Sequence, residues 1–253
     1  MKQSFSWWCF RNRGVADADL LRAAAKTGYA GVEMLPRELW ETARDLGLTL
    51  VSETIPSISH GLNRREHHAQ AREVILEKIA LAAEWRIPVL ICFSGGRDGI
   101  DDEAGLENCA EILRELAPRA AAAGTTLAIE LLNSRVDHPG YQADHTAWGA
   151  RLCEAVGNPG ASLLYDIYHM QIMEGDLIRT IRAHHPHISH YHTAGNPGRG
   201  PMDQTQEIHY PAIYRAIAET GYAGYIGHEF IPKGNPVEAL EWAFTECQRA
   251  LEG

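Results

Sequence analysis

LLYDIYHMQ, Leu163 to Gln171, is the stretch whose reading decides the fold. The apolar run from Ser162 to Tyr165 has the length of a buried strand. At Asp166 a period of two gives way to helix-like spacing, and three residues later the chain presents the imidazole of His169. A strand that delivers reactive groups and turns straight into a helix is a βα unit. Three other runs end the same way: LAIE (Leu127 to Glu130), ISHYH (Ile188 to His192) and YIGHE (Tyr225 to Glu229). Glu130, Asp166, His192 and Glu229 thus fall at the carboxyl ends of four different strands.

Working outward from this stretch, strand-like and helix-like segments alternate through the whole chain. Strands are expected at Phe5 to Phe10, Gly31 to Leu35, Leu48 to Ile55, Pro88 to Ser94, Leu127 to Leu132, Ser162 to Ile167, Ile188 to Thr193 and Tyr225 to Phe230. The first helix follows in ADADLLRAAAKTG, with Asp17 suited to its N-cap and Gly28 to a left-handed stop. Further helices are expected at Pro36 to Leu46, Ala69 to Trp85, Asp101 to Ala123 (kinked or divided at Pro118), Thr146 to Val156, Gly175 to Ala183, Pro211 to Thr220 and Pro236 to Leu251. Two loops, Pro56 to His67 and NSRVDHPGYQAD (Asn133 to Asp144), have the polarity of segments that lie over a pocket. The pentapeptide TGYAG occurs at both Thr27 to Gly31 and Thr220 to Gly224, so one αβ turn is solved twice in the same residues. Eight βα units without a G-x-G-x-x-G after the first strand favour a closed parallel (β/α)8 barrel over an open doubly wound sheet. The expectation is one domain, residues 1–253, with function on the face where the strands end.

Composition bounds the partners. At 253 residues and 45% hydrophobic the chain can bury one large core, and no apolar run is long enough to span a bilayer. The N-terminus has no apolar signal region, so a cytoplasmic location without membrane contact is expected. With 33 acidic against 23 basic residues the net charge is -10, a field that repels nucleic acid. The five cysteines, Cys9, Cys92, Cys109, Cys153 and Cys247, form no C-x-x-C pair and read as reduced packing residues. Of the histidines at positions 184, 185, 187, 190 and 192, only His192 is taken as a ligand. A homo-oligomer is compatible with the sequence.

In a parallel barrel alternate strand residues point inward, so Ala128 with Glu130, Leu164 with Asp166, His190 with His192, and Gly227 with Glu229 share the interior direction. Three carboxylates and one imidazole suit one Mn²⁺, Mg²⁺ or Co²⁺ ion better than a structural zinc site built on thiolates. A cation there offsets the cost of burying three carboxylates together. Such a site can acidify the C–H of a 2-hydroxy carbonyl compound and hold the enediolate, with Glu130 and Glu229 as the acid/base pair. Singly, each carboxylate is as well explained by capping a helix or pairing with an arginine. Their joint register is not. Glu33 and Glu53, also at strand ends, read as supporting or structural residues.

These residues resemble the hydroxypyruvate isomerase group of the xylose-isomerase-like TIM barrels, which are related to the ketose 3-epimerases. The similarity covers the whole chain and is carried by YDIYHMQIMEGDL (Tyr165 to Leu177), AGNPGRG (Ala194 to Gly200), QEIHY (Gln206 to Tyr210) and GHEF (Gly227 to Phe230). The resemblance implies one divalent metal held by Glu130, Asp166, His192 and Glu229, acid/base roles for Glu130 and Glu229, and substrate contacts from His169 and Arg199. It implies conversion of hydroxypyruvate to 2-hydroxy-3-oxopropanoate. His192 and Leu131 stand where bacterial members of the group usually carry Gln and Pro, and Val136 stands where 3-epimerases tend to carry a further Glu. These departures bear on substrate and leave the ligand set as implied. Arg97 and Arg135 also sit on loops at the expected mouth and are weaker candidates than Arg199 for a substrate carboxylate. The alternatives are a ketose 3-epimerase, an apurinic endonuclease, which the acidic balance opposes, and a sugar-acid-binding barrel without catalysis.

Overall fold

In the computed structural model, which describes residues 1–55 and 61–252, eight parallel strands follow one another in chain order round a closed barrel. They are β1 (Lys2–Ser6), β2 (Gly31–Glu33), β3 (Thr49–Thr54), β4 (Val89–Cys92), β5 (Thr126–Glu130), β6 (Ala161–Asp166), β7 (Ile188–Thr193) and β8 (Tyr225–His228). The α-helices among the described residues are α1 (Trp7–Phe10), α2 (Asp17–Thr27), α3 (Trp40–Asp45), α4 (His68–Trp85), α5 (Asp102–Ala122), α6 (Thr146–Val156), α7 (Ile167–Met173), α8 (Leu177–His184), α9 (Tyr210–Glu219) and α10 (Pro236–Glu252). Residues 56–60 of the loop expected over the pocket lie outside the described residues.

The chain packs as two compact units. One comprises Met1–Val51, Asp176–His185 and Tyr191–Gly253. In it the register sets His192 beside Gly227, Gly227 beside Ser4, and Ser4 beside Gly31. Its core holds an edge-to-face aromatic group, Phe5 against Phe10 at 5.7 Å and Phe10 against Phe230 at 5.1 Å between ring centroids. The other unit comprises Ser52–Gly175 and Pro186–His190. There, Glu130 lies beside Leu164 in the β5–β6 pairing. A Cβ added to Gly149 of α6 would stand 2.8 Å from a methyl group of Leu163, so this glycine lets α6 seat directly on the outer face of β6. With Leu163 facing the helix, pleating turns Leu164 and Asp166 to the other face. All six residues of β6 are buried, which is why its sequence shows no clean alternation.

Differences from the sequence reading have local causes. The run Phe5 to Phe10 is not one strand: pairing with β2 ends at Ser6 beside Glu33, and the backbone then closes one helical turn, Arg11 N–H donating to the Trp7 carbonyl at 3.1 Å. Trp7, Cys9 and Phe10 are buried by that turn, whereas Trp8 is 40% exposed. A short apolar run of this kind has no periodicity to separate strand from helix. Asp17 is the first helical residue rather than the cap, which is Ala16; its charge still faces the positive end of α2. Gly28 ends α2 in the left-handed conformation, φ 114°. Pro118 lies inside an uninterrupted α5. The chain after β6 makes two helices, because Asp166 caps α7 at once and Asp176, at φ 42°, turns the backbone before α8.

Candidate metal centre

Glu130, Asp166, His192 and Glu229 are all buried, and each offers one ligand atom such that these atoms lie within 4.8 Å of one another. The donor set fits a divalent cation: three carboxylates, one imidazole and no thiolate. The five cysteines are free and buried, with the Cys92 thiol pushed up to about 12 by desolvation, so none is prepared to act as a thiolate. Glu33 and His190 form a further buried group with His192; His190 is therefore an inward strand residue, while His184, His185 and His187 are partly exposed.

Around His192 and Glu229 the geometry is closely knit. Glu229 follows the last residue of β8, its N–H donating to the Thr193 carbonyl of β7 at 2.9 Å. The Trp8 indole N–H donates to Glu229 Oε1 at 2.8 Å. Glu229 Oε2 lies 3.1 Å from His192 Nδ1 and pairs with the Arg199 guanidinium. Burial by itself would raise the Glu229 pKa; the charges of His192 and Arg199 and the hydrogen bond from Trp8 hold it well below the usual carboxylate range. Arg199 stacks over the Trp8 ring, 5.4 Å from its centroid, and has φ 53° in the turn Asn196 to Gly200. The neighbouring imidazole of the GHEF motif, His228, is engaged elsewhere: Nδ1 with Thr193 Oγ1 at 2.9 Å and Nε2 with Gln3 Oε1 at 2.8 Å. Desolvation pushes His228 down to about 3, which keeps it neutral.

Around Glu130 and Asp166 the long loop after β5 does the anchoring. Buried Tyr141 accepts from Ser94 N–H at 3.0 Å and donates to the Glu130 carbonyl at 2.9 Å, holding the end of β5. Asp166 Oδ1 accepts the backbone N–H of His169 at 3.1 Å, so the carboxylate caps α7 while belonging to the ligand group. His169 is fully buried. Its Nδ1 receives the Asn133 backbone N–H at 3.2 Å and the Asn133 side-chain amide at 2.6 Å, which assigns the ring proton to Nε2, 3.7 Å from Asp166 Oδ2. Asn133 is fixed in turn by donating to Asp137 at 2.7 Å, a carboxylate that also accepts from Tyr168 at 2.9 Å.

The other two arginines have structural partners. Arg97 grips Asp144 with Nη2 to Oδ1 at 3.0 Å and Nη1 to Oδ2 at 3.2 Å, and Arg135 donates to the Ile172 carbonyl at 2.8 Å.

The sequence profile described as xylose isomerase-like TIM barrel matches residues 21–245. The chain belongs to this family. Within the xylose isomerase-like barrels it is 31% identical to the putative hydroxypyruvate isomerase of Homo sapiens over 88% of this chain and 86% of that one. It is 33% identical to the hydroxypyruvate isomerase of Escherichia coli (strain K12) over 87% and 89% of the two chains. A crystal structure titled AP endonuclease, family 2, from Brucella melitensis superposes with a TM-score of 0.86 at 28% identity, covering 96% of this chain and 98% of that one. No described helix is long and apolar enough to cross a membrane.

Sequence reasoning missed Trp8, Asn133 and Asp137. Trp8 was hidden in a run taken as strand, although a tryptophan among residues otherwise buried is a signal once the helical turn is known. Asn133 opens a loop rich in turn formers, and nothing in its spacing distinguishes an imidazole partner from a turn residue.

Proposed function

We propose that the chain is an isomerase of small hydroxy-oxo acids, converting hydroxypyruvate to 2-hydroxy-3-oxopropanoate. The observation that carries this reading is the group of four buried ligand-type side chains with atoms within 4.8 Å of one another; the names of the two hydroxypyruvate isomerase relatives support the substrate class. Glu130, Asp166, His192 and Glu229 would hold one Mn²⁺, Mg²⁺ or Co²⁺ ion, which when bound supplies Lewis-acid polarisation of a carbonyl oxygen.

The remaining chemistry belongs to the side chains. One of the pair Glu130 and Glu229 removes a proton from the hydroxymethyl carbon of the substrate, giving an enediolate; a proton is returned to the adjacent carbon from the same pair, while the hydroxyl proton on the first carbon passes to the oxygen on the second, leaving an aldehyde and a new hydroxyl. His169 offers its Nε2–H to a substrate oxygen, a role supported by the two Asn133 donors that occupy Nδ1. Arg199 binds the substrate carboxylate. A guanidinium carries five donors in a fork, enough to keep Glu229 and take a second carboxylate, and the Trp8 ring sets its plane.

The test is a panel of small hydroxy-oxo acids and free ketoses turned over in D₂O with Mn²⁺ and followed by NMR. Deuterium entering one carbon of hydroxypyruvate or its product supports the proposal. Turnover of ketoses alone, with no requirement for a substrate carboxylate, would replace it with a 3-epimerase.

A further inference from the structure

Glu33 is fully buried at the end of β2 and is neither one of the four proposed ligands nor a member of the acid/base pair. One of its oxygens, Oε1, accepts from Ser4 Oγ at 2.6 Å; the other, Oε2, lies 3.0 Å from His192 Nε2. On the opposite edge of the same imidazole, Nδ1 is the nitrogen that faces Glu229. An ionised carboxylate only accepts hydrogen bonds, so the Glu33 contact requires a proton on Nε2. A histidine that keeps a proton on Nε2 coordinates through Nδ1. The contact also needs room. A Cβ on Gly227 would stand 2.1 Å from Glu33 Oε1 and 2.9 Å from His192 Cδ2. Gly227 lies beside both Ser4 and His192 in the strand register, so three strands contribute to one arrangement: the hydroxyl of Ser4, the imidazole of His192 and the missing side chain of Gly227.

We propose that Glu33 is a positioning residue, whose carboxylate takes the Nε2–H of His192 and so presents Nδ1 as the ring's donor to a divalent cation, in space that only a glycine at 227 leaves open. Ser4 holds the carboxylate in the plane required. This proposal rests on the metal reading given under Proposed function and adds to it a residue outside the ligand set. Glu53 provides the contrast: it is the last residue but one of β3, and its carboxylate is spent on Lys78 at 2.5 Å.

The experiment is a Mn²⁺ titration of the full-length protein after chelator treatment and dialysis, with free Mn²⁺ read by EPR, so that binding is measured without turnover. Wild type and Glu53→Gln are expected to bind one ion per chain with equal affinity. Glu33→Gln should bind one ion about 10–100-fold more weakly, the usual cost of losing a ligand's hydrogen-bond partner. Ser4→Ala, which removes the hydroxyl that holds Glu33 Oε1 and touches no member of the ligand group, should weaken binding in the same direction, so it tests the idea even if Glu33→Gln does not fold. A folded Glu33→Gln that binds Mn²⁺ within twofold of wild type overturns the positioning role and leaves the metal reading standing. Two ions per chain, one of them lost in Glu33→Gln, would make Glu33 a ligand and overturn the proposal as well. Wild type that takes no Mn²⁺ would end the metal reading itself, and the proposal with it.

Discussion

At the scale of residues, the candidate side chains are held by identified neighbours. Asp166 uses one oxygen to cap α7, His169 has one nitrogen filled by Asn133, and Glu229 collects Trp8, His192 and Arg199. Replacing Glu130 or Glu229 with Gln should therefore lower the exchange of substrate C–H with solvent deuterium by about 10²–10⁴-fold, the range for a general acid or base, while circular dichroism stays unchanged. Near-normal exchange in either variant removes that residue from the proton transfer. Arg199→Lys keeps the charge but loses the planar fork and the stacking on Trp8. Its KM for hydroxypyruvate should rise about tenfold or more, as expected from one lost charged hydrogen bond, with a smaller change in kcat. A KM that does not move would free Arg199 from the substrate carboxylate. The four ligand candidates were legible in the sequence because each is polar at the end of an apolar run. The partners of Glu229 and of His169 were not: Trp8 and Asn133 acquire meaning only through contacts with residues 221 and 36 positions away.

At the scale of elements, helix α5 starts on an Asp101 carboxylate that accepts the Ala104 N–H at 2.8 Å. Asp101→Ala should cost about 1 kcal/mol, a fall in Tm of roughly 2–4 °C for a chain of this size, read by calorimetry. The loop after β5 is clamped by Asp144, which is buried and bound by Arg97, Ser134 and His145. Burial alone would raise its pKa, but hydrogen bonds from these three groups and the Arg97 charge bring it below the ordinary 3.8. A carboxylate with a lowered folded pKa contributes stability that is present above the unfolded value and is lost as pH falls through the folded one. The Tm difference between wild type and Asp144→Asn should thus be full at neutral pH and shrink as pH is taken below 3.8. A difference that is constant across that range would show that the lost contacts are not ionic. Elements whose ends carry a turn former, such as α2 with Gly28 or α6 with Gly157, were placed closely from sequence, since both glycines take the left-handed conformation. The segment Trp7–Phe10 was not. Its path depends on where the pairing of β1 stops.

At the scale of the whole chain, eight parallel strands in sequential order put the end of every strand on one side, which is why residues as distant in sequence as Glu130 and Glu229 enter one group. An ion that binds the folded chain and not the unfolded one adds RT ln(1 + [L]/Kd), about 2.7 kcal/mol at a hundredfold excess over Kd. Saturating Mn²⁺ should accordingly raise the Tm of chelator-treated protein by several degrees, and EDTA should silence turnover until Mn²⁺, Mg²⁺ or Co²⁺ is restored. A Tm indifferent to all three ions would count against a bound cation.

The amino-acid sequence alone determined the alternation of strand and helix, the closed parallel order and the four ligand candidates, because periodicity, caps and the polarity of strand ends are local properties of the chain. Which nitrogen of His169 carries its proton, which arginines are spent on structure, and that Gly227 clears space for Glu33 beside His192 were decided only by tertiary packing. Those are relations between side chains on different strands and loops, and their distances exist only once the barrel has closed.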